Sequence, residues 1–164
     1  GRVLRMEIKI ETAGVEDSDL VYQITKQAFQ DYLGPAFSSL VPALQESKKD
    51  VKGDIENKEV LIAYVNNEAA GSVRFYPLNN TVYHLGRLGV LNKFAGKNIG
   101  KKLIKEVEQQ VKSSGGEKIT LVSAYQKKKL LHFYQRLGYN IEEIREDEDY
   151  TRVKLKKQLI MDNV

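Results

Sequence analysis

The sequence predicts a mixed α/β (α+β) fold, with a mostly antiparallel central sheet of about six to seven strands flanked by about four to five helices. Three observations predict it. Strand-like segments at 59–65, 71–76 and 81–91 are joined by the short polar turns Asn66-Asn67-Glu68 and Asn79-Asn80, the pattern of sequential antiparallel strands. A helical stretch from about Lys97 to Ser114 separates the third of these from a further strand at Lys118–Ala124, and this order predicts a parallel pair with a right-handed connection. At 164 residues, with no repeat or low-complexity run, the chain fits one domain, 1–164, large enough to bury its own core.

Each element has its own signal. Met6 to Thr12 alternates apolar and charged residues, as a half-buried strand does. Asp17 or Ser18 caps a helix whose apolar stripe is Leu20, Ile24 and Ala28 with Val21 and Phe29 beside it, and Gly34-Pro35 ends it. Leu40, Val41 and Leu44 suggest a short second helix, and Ser47-Lys48-Lys49-Asp50 is a capping box that opens a third. In the strand 81–91, Gly86 and Gly89 mark a bulge or the close approach of another backbone or ligand. Ile99, Leu103, Val107 and Val111 give the long helix one apolar face, and Gly115-Gly116 stops it. Lys127 to Leu137 reads as the last helix, ended by Gly138, and Tyr139–Ile144 with Thr151–Leu155 as a final hairpin.

Composition excludes several kinds of chemistry. There are no cysteines, which rules out disulfides and thiolate metal sites, and the two histidines, His84 and His132, lack clustered carboxylates, so no metal is expected. No apolar run approaches a membrane span and no secretion pattern opens the chain, so a cytoplasmic protein with no membrane partner is expected; Gly1 to Arg5 ahead of Met6 reads as an expression remnant. The net charge of +4 is modest but concentrated. Between Glu68 and Glu106 there is no acidic residue, whereas Arg74, Arg87, Lys93, Lys97, Lys101, Lys102 and Lys105 all fall there, a one-signed field that calls for a phosphate-bearing partner.

The densest part of that field is Leu88 to Ile104, a strand, a tight loop and a helix start. Cations are misplaced in a first helical turn unless something negative sits there, and the bare backbone at Gly96 and Gly100 lets amides approach phosphate oxygens. A nucleotide P-loop fails on spacing, because three residues rather than four separate these glycines and Lys102 stands where a magnesium-holding hydroxyl is required.

Leu88-Gly89-Val90 followed by Ala95-Gly96-Lys97-Asn98-Ile99-Gly100 resembles the acyl-CoA-binding segment of the GNAT superfamily of N-acyltransferases. Two positions depart from its usual pattern: Ala95 replaces Arg or Gln, and Asn98 replaces Gly, although Asn tolerates left-handed backbone. Phe133-Tyr134-Gln135-Arg136-Leu137-Gly138-Tyr139 is similar to that family's second signature, and the helix that carries it starts at Lys127, where Asn is frequent in the family, with Leu130 where Ala is. The resemblance implies that strand 81–91 splays from its parallel neighbour, that acetyl-CoA is the acyl donor, and that Leu88, Gly89, Val90, Lys93, Ala95, Gly96, Lys97, Asn98, Ile99, Gly100 and Lys101 bind coenzyme A. It also implies that Tyr32, Phe37 and their neighbours help shape the acceptor site.

Acetyl transfer to an amine needs a neutral amine, a stabilised oxyanion and a proton for the departing thiolate. The family match assigns Tyr134 as proton donor, a phenol of ordinary pKa about 10 facing a thiol of about 8.5, and the Val90 N–H as oxyanion donor. His84, in the right pKa range, is the candidate base, with a water ordered by Tyr83 or a water chain as the other source. Six carboxylates between Glu142 and Asp149 are either a solvated turn or a field that draws in a cationic amine. The expected protein is therefore an N-acetyltransferase for a small-molecule or peptide amine, acting by direct transfer, as a monomer or homodimer. A non-catalytic CoA-binding module on the same fold stays open as the alternative, and a nucleic-acid-binding domain, for which no motif is present, comes last.

Overall fold

The computed structural model describes residues 5–34 and 41–160. Pro35, Phe37 and Leu40, named above, lie outside them. The described elements form a seven-stranded sheet in the order β1-β2-β3-β4-β5-β7-β6, with five α-helices. Two compact units divide the chain: Gly1–Arg74 with Arg87–Ile104, and Phe75–Gly86 with Lys105–Val164.

In the first unit β1 (Ile8–Thr12) runs antiparallel to β2 (Glu59–Val65), with Ile8 opposite Val65 and Thr12 opposite Leu61. A 3-10 turn at Val15–Asp17 leads into α1 (Ser18–Leu33), where Val21, Ile24 and Ala28 are buried as their spacing predicts. The helix stops at Gly34, in the left-handed region at φ 69°. After α2 (Pro42–Gln45), the capping box opens α3 (Lys48–Asn57): Ser47 Oγ accepts from the Asp50 N–H at 3.1 Å and Asp50 Oδ2 accepts from the Ser47 N–H at 2.9 Å. The Ser47 N–H first, and the Ser47 side chain second, hold the Asp50 carboxyl below the usual carboxylate range. Ala13, Val21, Ile24, Val51, Val60 and Ile62 form the core between these helices and β2.

Asn66 (φ 49°) and Asn67 (φ 69°) make the two-residue turn from β2 to β3 (Glu68–Pro77), with both central residues left-handed as a primed hairpin turn requires. β4 (Val82–Val90) follows. Of the two readings given for its glycines, Gly89 shows the close approach. The left-handed residue is Arg87, at φ 54°, and neither Gly86 nor Gly89 has a positive φ. Gly89 is instead required by packing, because a Cβ there would stand 2.9 Å from the Ala28 Cβ of α1. A Cβ on Gly71 of β3 would likewise fall 2.7 Å from the Gly89 carbonyl oxygen.

In the second unit the start of β4 pairs in parallel with β5 (Lys118–Ala124) at Val82↔Lys118, Tyr83↔Ile119 and His84↔Thr120. That pairing ends at His84 although β4 runs on to Val90. β5 pairs antiparallel with β7 (Thr151–Gln158), and β7 with the edge strand β6 (Asn140–Glu146), which carries a register shift between Ile141 and Glu143. α4 (Ile99–Ser113), part of which belongs to each unit, buries Ile99, Leu103, Ile104, Val107 and Val111 completely. α5 (Lys128–Arg136) is followed by Gly138 at φ 96°. Tyr139, fully buried, donates its hydroxyl proton to Glu108 Oε2 at 2.9 Å, and Lys157 Nζ donates to both oxygens of that carboxylate at 3.1 Å. Burial, then the Glu108 charge, pushes the Tyr139 phenol far above its ordinary value.

Candidate functional site

The loop between β4 and α4 is built to expose its amides and its cations. The Leu91 N–H donates to the Ala70 carbonyl at 2.8 Å, and a 3-10 turn over Asn92–Phe94 buries the Phe94 ring as an anchor. Beyond it Ala95, Gly96, Lys97 and Asn98 are exposed. Gly96 stands at φ 78° and Asn98 at φ 62°, two left-handed residues that a helix cannot include, so α4 begins at Ile99 rather than at Lys97 as the apolar pattern suggests. The Asn98 carbonyl accepts the Lys102 N–H at 3.0 Å, leaving the amides of the first turn without intrahelical acceptors. Gly100 and Lys101 lie in that turn, which holds no acidic residue.

The basic run does not act as one field, and this corrects the sequence reading. Arg74 is 2% exposed, and the two terminal nitrogens of its guanidinium meet Glu46 at 2.7 and 2.8 Å, Asp54 at 2.9 Å and Thr25 Oγ1 at 3.1 Å, while its buried Nε has no hydrogen-bond partner among the described residues. Burial alone would lower its pKa, but Glu46 and Asp54 more than offset that and hold it raised. Arg87 Nε reaches Glu46 at 3.4 Å, Lys93 Nζ sits on Glu68 at 2.8 Å and Lys105 lies 3.8 Å from Glu108. Lys97, Lys101 and Lys102 are exposed and have no ion pair among the described residues. These three cations, two left-handed turns and a helix N-terminus fit a diphosphate.

On β4, Leu88 and Gly89 are buried and Val90 is half-buried. The Val90 N–H donates to Tyr32 Oη at 2.7 Å. Burial raises the Tyr32 phenol pKa, partly opposed by that bond, so the hydroxyl stays protonated at neutral pH. Its ring lies 5.9 Å from that of Phe29, which in turn covers Gly89.

The other candidates belong to the second unit. His84 Nδ1 is 2.9 Å from Thr120 Oγ1, and its ring lies 5.5 Å from that of Tyr76. Tyr83 packs its ring over Gly116. Tyr134 is buried on α5, edge-on to Tyr139 at 6.2 Å and against Phe133 at 5.3 Å. Three of the six carboxylates of the 142–149 segment are paired. Asp147 and Asp149 accept from Arg152 at 2.6 and 2.8 Å, and Glu142 lies within 4.0 Å of Lys118, Lys154 and Lys156. Apart from Arg145, which lies 3.3 Å from Asp147, the partners come from β5 and β7, so the acidic run by itself does not announce these pairs. Among the described residues no His, Asp and Glu cluster is arranged to hold a metal, and no helix is long and apolar enough to cross a membrane.

Residues 20–139 match the model of the acetyltransferase (GNAT) family. The chain belongs to that family. Solved structures agree on the GNAT fold. The paiA N-acetyltransferase of Thermoplasma acidophilum in complex with coenzyme A superposes with a TM-score of 0.79 at 20% identity, over 93% of this chain and 99% of that one. The ribosomal-protein-S18-alanine N-acetyltransferase of Escherichia coli gives 0.79 at 15% identity, over 96% and 97%. A GNAT-family acetyltransferase from Streptococcus pneumoniae gives 0.73 at 19% identity, over 93% and 99%. No curated protein matches the chain in a sequence comparison. As a GNAT member the chain carries, in Leu88–Val90 and 95–100, the two stretches that the sequence marked, with Ala95 and Asn98 as its own variations on them.

Proposed function

We propose that this GNAT chain is an acetyl-CoA-dependent N-acetyltransferase that moves an acetyl group to a primary amine by direct transfer, within a single catalytic domain. The observation that carries the reading is the uncompensated cation cluster at Lys97, Lys101 and Lys102, set on a doubly left-handed loop at the start of α4. Acetyl-CoA, when bound, would supply an acetyl group activated as a thioester and leave as coenzyme A. Loop amides and the three lysines hold its diphosphate, and Gly96 lets the backbone approach closely, since nothing lies within 4 Å of where its Cβ would stand. Lys93, already on Glu68, contributes less to that charge.

For the transfer itself, the Val90 N–H polarises the acyl carbonyl and Tyr134 returns a proton to the leaving sulfur. His84 takes the proton of the amine directly or through water, its ring orientation held by Thr120. With no cysteine in the chain, direct attack by the amine is the simplest route. Thiol release from acetyl-CoA, measured across a panel of aminoglycosides, polyamines, amino acids and peptides, tests the activity. Tyr134→Phe is expected to lower kcat by about 100-fold with the KM for acetyl-CoA unchanged. A normal rate at every pH would remove Tyr134 from the mechanism. Binding of coenzyme A with no turnover on any amine would favour a non-catalytic CoA-binding module instead.

A further inference from the structure

The N–H that this reading gives to the acyl carbonyl already has a partner. Val90 donates to Tyr32 Oη at 2.7 Å, across 58 positions of sequence. The phenol is not there by chance of an exposed rotamer. Tyr32 is half-buried, in the last turn of α1, its ring set against Phe29, and Phe29 rests on Gly89, the residue before Val90. The close approach of α1 to β4 that makes this possible depends on Gly89, where a Cβ would meet Ala28 at 2.9 Å. One amide hydrogen makes one good bond, so a carbonyl oxygen and the Tyr32 hydroxyl cannot both hold it.

We propose that the Tyr32 hydroxyl is a place-holder for the acyl oxygen, a built-in competitor that acetyl-CoA must displace from Val90 and that coenzyme A, having no acyl group, leaves in position. The inference rests on the acyl-CoA reading above. It makes Tyr32 a specificity residue. The bond to Val90 offsets part of the affinity that the acyl group would otherwise add, so the protein discriminates less between acyl-loaded and spent donor than the bare amide would. It also keeps a half-buried N–H satisfied between turnovers.

Calorimetric titration of coenzyme A and of acetyl-CoA, without acceptor, into the wild type and Tyr32→Phe tests this. The Phe ring keeps the packing on Phe29 and removes only the hydroxyl. The dissociation constant for coenzyme A should stay the same, while that for acetyl-CoA should fall by roughly 3- to 10-fold, the usual worth of one hydrogen bond. An unchanged ratio of the two constants, or weaker binding of acetyl-CoA by the variant, would overturn the proposal; the latter would make the phenol a second donor to the carbonyl. In the wild type alone, the ring resonances of labelled Tyr32 should move on adding acetyl-CoA and stay in place with coenzyme A. An equal response to both ligands contradicts the proposal without recourse to the variant. If the wild type binds neither ligand, the acyl-CoA reading has failed and the place-holder falls with it; if it binds both with the ratio unaltered, only the place-holder fails.

Discussion

Two places in the same basic run handle positive charge in opposite ways. At β3 the Arg74 guanidinium is buried and closed in by Glu46, Asp54 and Thr25, with Arg87 sharing Glu46 from β4. At the start of α4, Lys97, Lys101 and Lys102 stand exposed at the positive end of a helix with no ion pair among the described residues. Buried charge has to be paired by the protein itself, because the cost of an unpaired ion in the interior is several kcal/mol. Exposed charge can be left for a ligand, because water and salt keep its cost low until the ligand arrives. What separates structural from ligand-seeking cations here is therefore burial and partnership, not position in the run.

The sharpest way to break the comparison is to remove Arg74. Arg74→Leu strands Glu46 and Asp54 without their shared cation and should cost about 3–5 kcal/mol in chemical denaturation. A loss under ~1 kcal/mol would mean that the network is ornamental.

The second unit offers a parallel case, in which Glu108 is buried between Tyr139 and Lys157. Tyr139→Phe should cost about 1–3 kcal/mol by the same measurement. The phenol also predicts an alkaline limit. Its folded pKa is raised, so the stability it contributes is complete below the unfolded value of about 10 and is lost as the pH rises beyond that. Melting temperature against pH should fall above pH ~10 in the wild type and fall less steeply in Tyr139→Phe.

A smaller effect sharpens the lysine side. Asn98→Ala puts a β-carbon with no polar side chain at φ 62° and should cost about 1 kcal/mol, whereas Asn98→Gly should be nearly neutral.

Much of the fold was legible in the sequence, for local reasons. The Ser47–Asp50 capping box, the Asn66-Asn67 turn, β5 at Lys118–Ala124 and the parallel pairing that follows from strand-helix-strand order are all consequences of neighbours in the chain. The site was half legible. The 95–100 loop could be found because glycine, asparagine and lysine at close spacing state their own chemistry. The fate of the arginines could not, since Glu46 lies 28 positions from Arg74 and only the tertiary fold brings them to 2.7 Å. The left-handed backbone of Arg87, at φ 54°, was not legible either, because nothing in its neighbouring residues marks it. Tyr32 could be suspected of lying near the acceptor, but nothing in its own helix announces a bond to Val90.

The central claim is that Lys97, Lys101 and Lys102 are unpaired because coenzyme A pairs them, and titration of coenzyme A into the Lys97→Gln, Lys101→Gln, Lys102→Gln triple variant tests it most directly. The account predicts a rise in Kd of roughly 10-fold or more, with a stability change within about 0.5 kcal/mol of the wild type. An undiminished affinity for coenzyme A in a folded triple variant would contradict it.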